Sequence, residues 1–233
     1  HQGYVFDSWS GDLSGDTNPT TITMDGNKSV TANFVVSLCT TVSSTVVASG
    51  DDAEESRVPS GGSVTAGTVS ISSTDLEMVY DSATGYGRQM VGMRFPNLAI
   101  PQGSTIQSAH ITWQAKDTDS TALNLTFQAE ATDDAAIYTE TTNNISSRSV
   151  TSASVVWSSV PSWTSGSSYQ SADLAPVVQE VVNRSGWATG NALNIIVTGS
   201  ANAKRNAYAQ DGGSGNAWPT LDATYCVVST GPT

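Results

Sequence analysis

The chain predicts an all-β fold, a jelly-roll-like β-sandwich with one short helix and a small separate β-unit at the N-terminus. Three observations lead there. Val, Ile, Thr and Tyr are frequent, while strong helix formers other than Ala are scarce. Several segments alternate apolar and polar residues with a period of two, as a half-buried strand does. Clusters of Ser, Gly and Asn punctuate these segments at the spacing of a sandwich.

Residues 1–36 are expected to stand apart from the rest. Gly3-Tyr4-Val5-Phe6-Asp7-Ser8-Trp9 reads as an aromatic strand, followed by a turn-rich loop through Pro19, a strand around Ile22 and a third strand at Ser29–Phe34. Three short strands bury little apolar surface. Residues 37–43 are read as a linker, residues 44–229 as the sandwich, and residues 230–233 as the start of another linker. The sequence also opens in what looks like mid-strand, which suggests a fragment of a larger protein.

Within the sandwich, Ile111 and Trp113 should face inward while His110, Thr112 and Gln114 face outward. Leu123, Leu125, Phe127 and Ala129 point inward on the same logic, leaving Asn124, Thr126, Gln128 and Glu130 outside. Val91, Met93 and Phe95 are inward and Arg94 outward. One sheet would then present a polar, hydrogen-bonding face. The single helical signal is Asp173–Arg184, with Asp173 as N-cap, Pro176 in the first turn, Val177, Val178, Val181 and Val182 at helical spacing, and Gly186 as the stop.

Charge narrows the function classes. With 9 basic and 21 acidic residues, net −12, the chain would repel phosphate backbones and anionic membrane surfaces. Nucleic acid and membrane are therefore not expected partners. Cys39 and Cys226 sit near the two ends of the sandwich and read as a disulfide, which implies an oxidising compartment. Closing so long a loop would remove roughly 4 to 5 kcal/mol of unfolded-chain entropy. The alternative is two unpaired buried thiols.

Two resemblances sharpen this picture. Residues 3–34, GYVFDSWSGDLSGDTNPTTITMDGNKSVTANF, resemble the internalin-type bacterial repeat, whose opening strands are missing here. Those repeats are spacers and stalks of extracellular proteins, so this segment is expected to be a truncated, scaffolding remnant. Residues 46–228 resemble DNRLRE-type modules through Met93-Arg94-Phe95, Ile100–Ala109 and Trp218–Tyr225. The resemblance implies a jelly-roll sandwich attached to a secreted polysaccharide-degrading enzyme, a polysaccharide partner whose identity is not carried over although some modules of the family bind alginate and related polymers, and structural calcium. Where the family has Ser-Arg-Glu, this chain reads Ala209-Gln210-Asp211.

Catalysis has little to work with. Only His1 and His110 could serve as imidazole bases, and no nucleophile elbow, phosphate loop or zinc spacing is present. A copper-binding brace like that of lytic polysaccharide monooxygenases would need His1 beside His110; the plainer reading of His1 is a cut site or tag remnant. The expected protein is a non-catalytic, monomeric carbohydrate-binding module, secreted and covalently linked to a catalytic domain. The rivals are a structural or adhesive stalk and a polysaccharide lyase or hydrolase.

Candidate ligand residues fall in two patches. Trp163, Tyr169 and Tyr208 lie in Ser/Gly/Asn-rich loops, where an aromatic ring could stack on a sugar, and Lys204-Arg205 could meet an acidic glycan. The plain alternative is that these rings are lids on the core. Trp113 is expected in the core, Trp157 is ambiguous, and Trp218 is a further loop aromatic. The second patch is the outward face carrying Arg94, His110, Gln114 and Gln128. For calcium, Asp75 and Glu77 fall on one side of a strand, Asp52 and Glu54 repeat the spacing, and Asp211 precedes Gly212-Gly213. The alternative there is a solvated acidic rim.

Overall fold

The computed structural model describes residues 3–82, 84–199, 201–212 and 218–229. His1 and the expected linker at 230–233 lie outside them. Among the described residues the chain is all-β with one α-helix, and it divides into two units, His1–Thr40 with Cys226–Thr233, and Thr41–Tyr225.

In the first unit, β1 (Tyr4–Gly11) pairs antiparallel with the start of β2 (Val30–Thr45), Tyr4 opposite Val36 and Phe6 opposite Phe34, with a bulge between Phe6 and Ser8. Phe6 gathers Trp9 at 5.0 Å and Phe34 at 6.1 Å between ring centroids. The strand expected around Ile22 does not form. β1 takes β2 directly as partner, and the intervening loop is tied by the Trp9 N–H to Gly15 O, by Trp9 Nε1–H to Thr17 O and by the Ser29 N–H to the Asp12 carboxylate. Residues 37–43, expected as a linker, are part of β2, because β14 (Thr220–Ser229) runs beside it and supplies its hydrogen bonds. Cys39 on β2 and Cys226 on β14 form the expected disulfide.

The second unit is a sandwich. Its remaining strands are β3 (Asp52–Val58), β4 (Val69–Ser70), β5 (Asp75–Met78), β6 (Tyr80–Asp81), β7 (Gly87–Phe95), β8 (Thr105–Gln114), β9 (Leu125–Ala129), β10 (Val155–Trp157), β11 (Ser168–Gln170), β12 (Leu193–Thr198) and β13 (Arg205–Tyr208), with helix α1 (Ala175–Val182). One sheet runs β2–β14–β8–β11, so the first and last strands are neighbours as in a jelly roll. The facing sheet runs β10–β9–β12–β7–β3–β4, with β6 beside β7, and β5 and β13 form a separate ribbon. The inward residues are those the alternation picks out: Val91, Met93, Phe95, Ile111, Trp113, Leu123, Leu125, Phe127 and Ala129 are all buried, and Ile195, Val197 and Leu221 join them. Each such side chain removed from water contributes about 1.5–3 kcal/mol, which is why the period-two pattern fixes the strand faces.

The helix is shorter than expected, and Leu174 rather than Asp173 is its N-cap. Asp173 still serves the helix start. Its carboxylate accepts the Ala175 N–H at 3.0 Å and the Ala109 N–H at 2.9 Å, joining α1 to β8. Val177, Val178, Val181 and Val182 face the core, and Gln179 completes the junction by accepting the Ile106 N–H.

Candidate functional site

The loop aromatics belong to the core. β11 pairs Tyr169 with Trp113 of β8, which turns the loop ahead of it inward. Trp163 is fully buried, stacked on Tyr169 at 4.9 Å and 6.0 Å from Trp113, which also meets Phe127 at 6.3 Å and lies nearly parallel to Trp157 at 6.4 Å. The Tyr169 hydroxyl accepts the Thr164 N–H. The rings of Tyr169, Trp163, Trp113 and Trp157 form one packed row, so Trp163, expected as an exposed platform, is corrected to a core residue. Apolar area decides this: a Trp buries 150–250 Å² when a partner surface is available.

Arg205 is corrected in the same way. It is 1% exposed, and its guanidinium donates to the carbonyls of Thr121, Val160, Pro161 and Lys204, knotting two loops together. A cleft of about 480 Å³ bordered by Leu123, Asn124, Ser159 and Val160 touches Arg205 and no other predicted residue. Lys204 sits 3.6 Å from both Glu77 and Asp117, a cation already surrounded by anions. Tyr208 ends β13 opposite Asp75 and is half-buried. Of the loop patch, then, Trp163 and Arg205 are buried, while Tyr169, Lys204 and Tyr208 are half-buried.

The four outward polar residues do not share a face. Arg94 on β7 and Gln128 on β9 lie on one sheet, His110 and Gln114 on β8 on the other. The outer side of the first of these sheets is covered by the segment that follows β9. Tyr138 and Ile145 join Ala53, Val69 and Ile196 in a second small core, Tyr138 lies against Gly92 where any side chain would run into its ring, and Arg148 sits over that ring at 4.3 Å. Arg94 is held beneath it by Asp51 at 2.7 Å and Ala135 O at 2.7 Å, and Gln128 by Thr151 O at 2.8 Å. Both are occupied as struts.

The outer side of the β2–β14–β8–β11 sheet is different. Ser168 and Gln170 pair directly with Gln114 and Thr112, so all four point the same way, alongside His110. On the neighbouring strands Thr41 meets Thr224 at 2.8 Å, Thr45 meets Thr220 at 3.0 Å, and Ser43 donates to Asp222. This is a broad array of hydroxyls and amides, half-exposed or exposed, with Asp222 its one carboxylate among these residues. His110 Nδ1 and Gln114 Nε2 each make one contact with a backbone carbonyl, of Ser171 and of Gly166. The alternation of Thr220, Asp222 and Thr224 is visible in the sequence. That β2 and β14 would lay their polar residues beside those of β8 is not.

The acidic candidates fall in two groups, Asp52 near Asp211, and Glu54 near Glu77 and Asp75. Asp52 accepts the Gln210 N–H at 2.8 Å, and burial pushes its carboxyl up to about 7. Asp211 accepts a hydrogen bond from Ser49. Burial would raise Asp75, but Asn206 at 2.8 Å and Lys116 at 3.1 Å outweigh it and hold this carboxylate below its ordinary range. Glu54 and Glu77 adjoin one another. Among the described residues no three Asp, Glu, His or Cys side chains converge as a metal-binding group. Asp52 and Asp75 are turned towards a backbone N–H, an amide and a lysine, Asp211 towards the Ser49 hydroxyl, Glu54 towards Gln89 and the Glu77 N–H, and Glu77 towards Lys204 at 3.6 Å.

Comparison with known proteins adds one finding. A family model described as a divergent InlB B-repeat domain matches residues 1–37. No curated protein matches the chain.

Proposed function

We propose that the chain is a non-catalytic carbohydrate-binding sandwich of a secreted bacterial protein, with a repeat remnant ahead of it as spacer. The observation that carries this reading is the asymmetry of the two sheets: one outer face is sealed by its own loop, while the β2–β14–β8–β11 face keeps its hydroxyls and amides in solvent. A flat array of such groups suits the hydroxyl pairs of an extended polysaccharide, which it would hold by many individually modest hydrogen bonds. His110, Thr112, Gln114, Ser168 and Gln170 form its centre.

The repeat match, the disulfide and the resemblance to DNRLRE-type modules support an extracellular setting beside a covalently attached catalytic domain. Retardation of the protein in gels containing polysaccharide, lost on Gln114→Ala, tests the reading. A structural stalk is the second reading, favoured by the burial of Trp163, since no aromatic side chain of the sandwich ranks among the exposed large hydrophobic residues described.

A further inference from the structure

The open face of the β2–β14–β8–β11 sheet is built almost wholly of uncharged groups. Thr41, Ser43, Thr220 and Thr224 supply hydroxyls, and Gln114 and Gln170 supply amides, all of them half-exposed or exposed. Asp222, on β14, is the one carboxylate of this array, and it accepts the Ser43 hydroxyl. His110 is its one ionisable nitrogen. At the margin, Asp173 is exposed just past β11 and adds a second carboxylate where it accepts the Ala109 N–H of β8.

The positive charge of the chain lies elsewhere. None of its nine Lys and Arg residues falls on β2, β14, β8 or β11. Apart from Arg88 on β7 of the opposite sheet and Arg205 in its cage of carbonyls, each stands within 3.6 Å of a carboxylate of the chain itself. Lys116 comes nearest to the face in sequence, just past Gln114. Its ammonium is turned to Asp75 at 3.1 Å and to the Thr74 hydroxyl at 3.0 Å.

A uronate or sulfate group laid on this face would give up hydration without gaining a cation in return. It would also meet Asp222 and approach a chain of net charge −12. A cationic polymer would find one carboxylate, already bonded to Ser43, among many neutral groups. A neutral sugar brings only hydroxyls, each a donor and an acceptor at once, and these match the Ser and Thr hydroxyls and the Gln amides without any charge to desolvate. We propose that the β2–β14–β8–β11 face takes a neutral polysaccharide and excludes uronate- and sulfate-bearing ones, an inference that rests on the carbohydrate-binding reading and names its ligand class.

Equilibrium binding of the whole chain at pH 8 to immobilised polymers tests this. The neutral set is xylan, galactomannan and mixed-linkage glucan, the acidic set is alginate and carrageenan, and quaternised chitosan is the cationic control. At least one neutral polymer should bind, and its affinity should change less than about twofold between about 0.1 and 1 M salt, since screening that tightens from about 10 to about 3 Å finds no ion pair to weaken. Gln114→Ala and Gln170→Ala should each weaken that binding several-fold, which places it on this face. The acidic polymers should bind at least about tenfold more weakly, because like charges meet there without a cation between them. Alginate or carrageenan bound as tightly as any neutral polymer, or quaternised chitosan bound alone, overturns the proposal and leaves a polysaccharide-binding protein of another ligand class. Alginate binding that Lys204→Ala abolishes would likewise overturn it and return the ligand to the loops. Neutral binding that both glutamine variants leave intact overturns it too. Binding to no polymer overturns the carbohydrate-binding reading itself and the proposal with it.

Discussion

Trp163 lies face to face with Tyr169, ring centroids 4.9 Å apart and planes 8° from parallel, with no part of the indole in solvent. This contact ties the loop before β11 to the core and removes Trp163 from any ligand surface. Trp163→Ala should therefore cost about 3–5 kcal/mol of folding stability, as large-to-small core substitutions do. Its folded fraction should keep the parent's retention on polysaccharide. Equilibrium denaturation read beside gel retardation separates the two effects.

Arg205 gives a matching prediction. Arg205→Met removes the donors to four carbonyls, one contact fully buried and three partly buried; a buried acceptor left unsatisfied costs about 1–3 kcal/mol, so the variant should be destabilised. Lys204→Ala, on a half-exposed side chain, should change stability by less than about 1 kcal/mol. Thermal unfolding of the two variants checks the contrast.

Cys39 and Cys226 close a loop of 187 residues. Thiol labelling of the native protein should find neither, and reduction should cost about 2–5 kcal/mol. Labelling without prior reduction would contradict the disulfide.

Because no three of the acidic candidates converge as a metal-binding group among the described residues, excess calcium and excess chelator should give the same melting temperature at matched ionic strength. A ligand that binds the folded state alone would raise it in proportion to occupancy. A clear rise with calcium would show that the acids converge after all.

Much of the fold was legible because it rests on local pattern. The alternation at Ile111–Trp113, Leu123–Ala129 and Val91–Phe95 gives each strand its inner face, and the valines of 177–182 mark the helix. The candidate site was less legible because it depends on which strands become neighbours. Alternation shows that Arg94, Gln128, His110 and Gln114 point outward, but two opposite sheets both have an outside. Nothing local to Tyr138 and Ile145 shows that they cover one of them. Trp163 misleads for the same reason, since its Ser/Gly-rich surroundings describe the loop and not the Trp113 ring waiting beneath it.

The most direct measurement of the central claim is affinity electrophoresis of the parent, Gln114→Ala, Gln170→Ala and Trp163→Ala proteins against a panel of algal and plant polysaccharides. The account predicts retardation of the parent on at least one polymer. It predicts weakening by about 1 kcal/mol, several-fold in affinity, for each of the two glutamine variants, and no such loss for folded Trp163→Ala. No retardation on any polymer, or retardation that both glutamine variants leave intact, would contradict it.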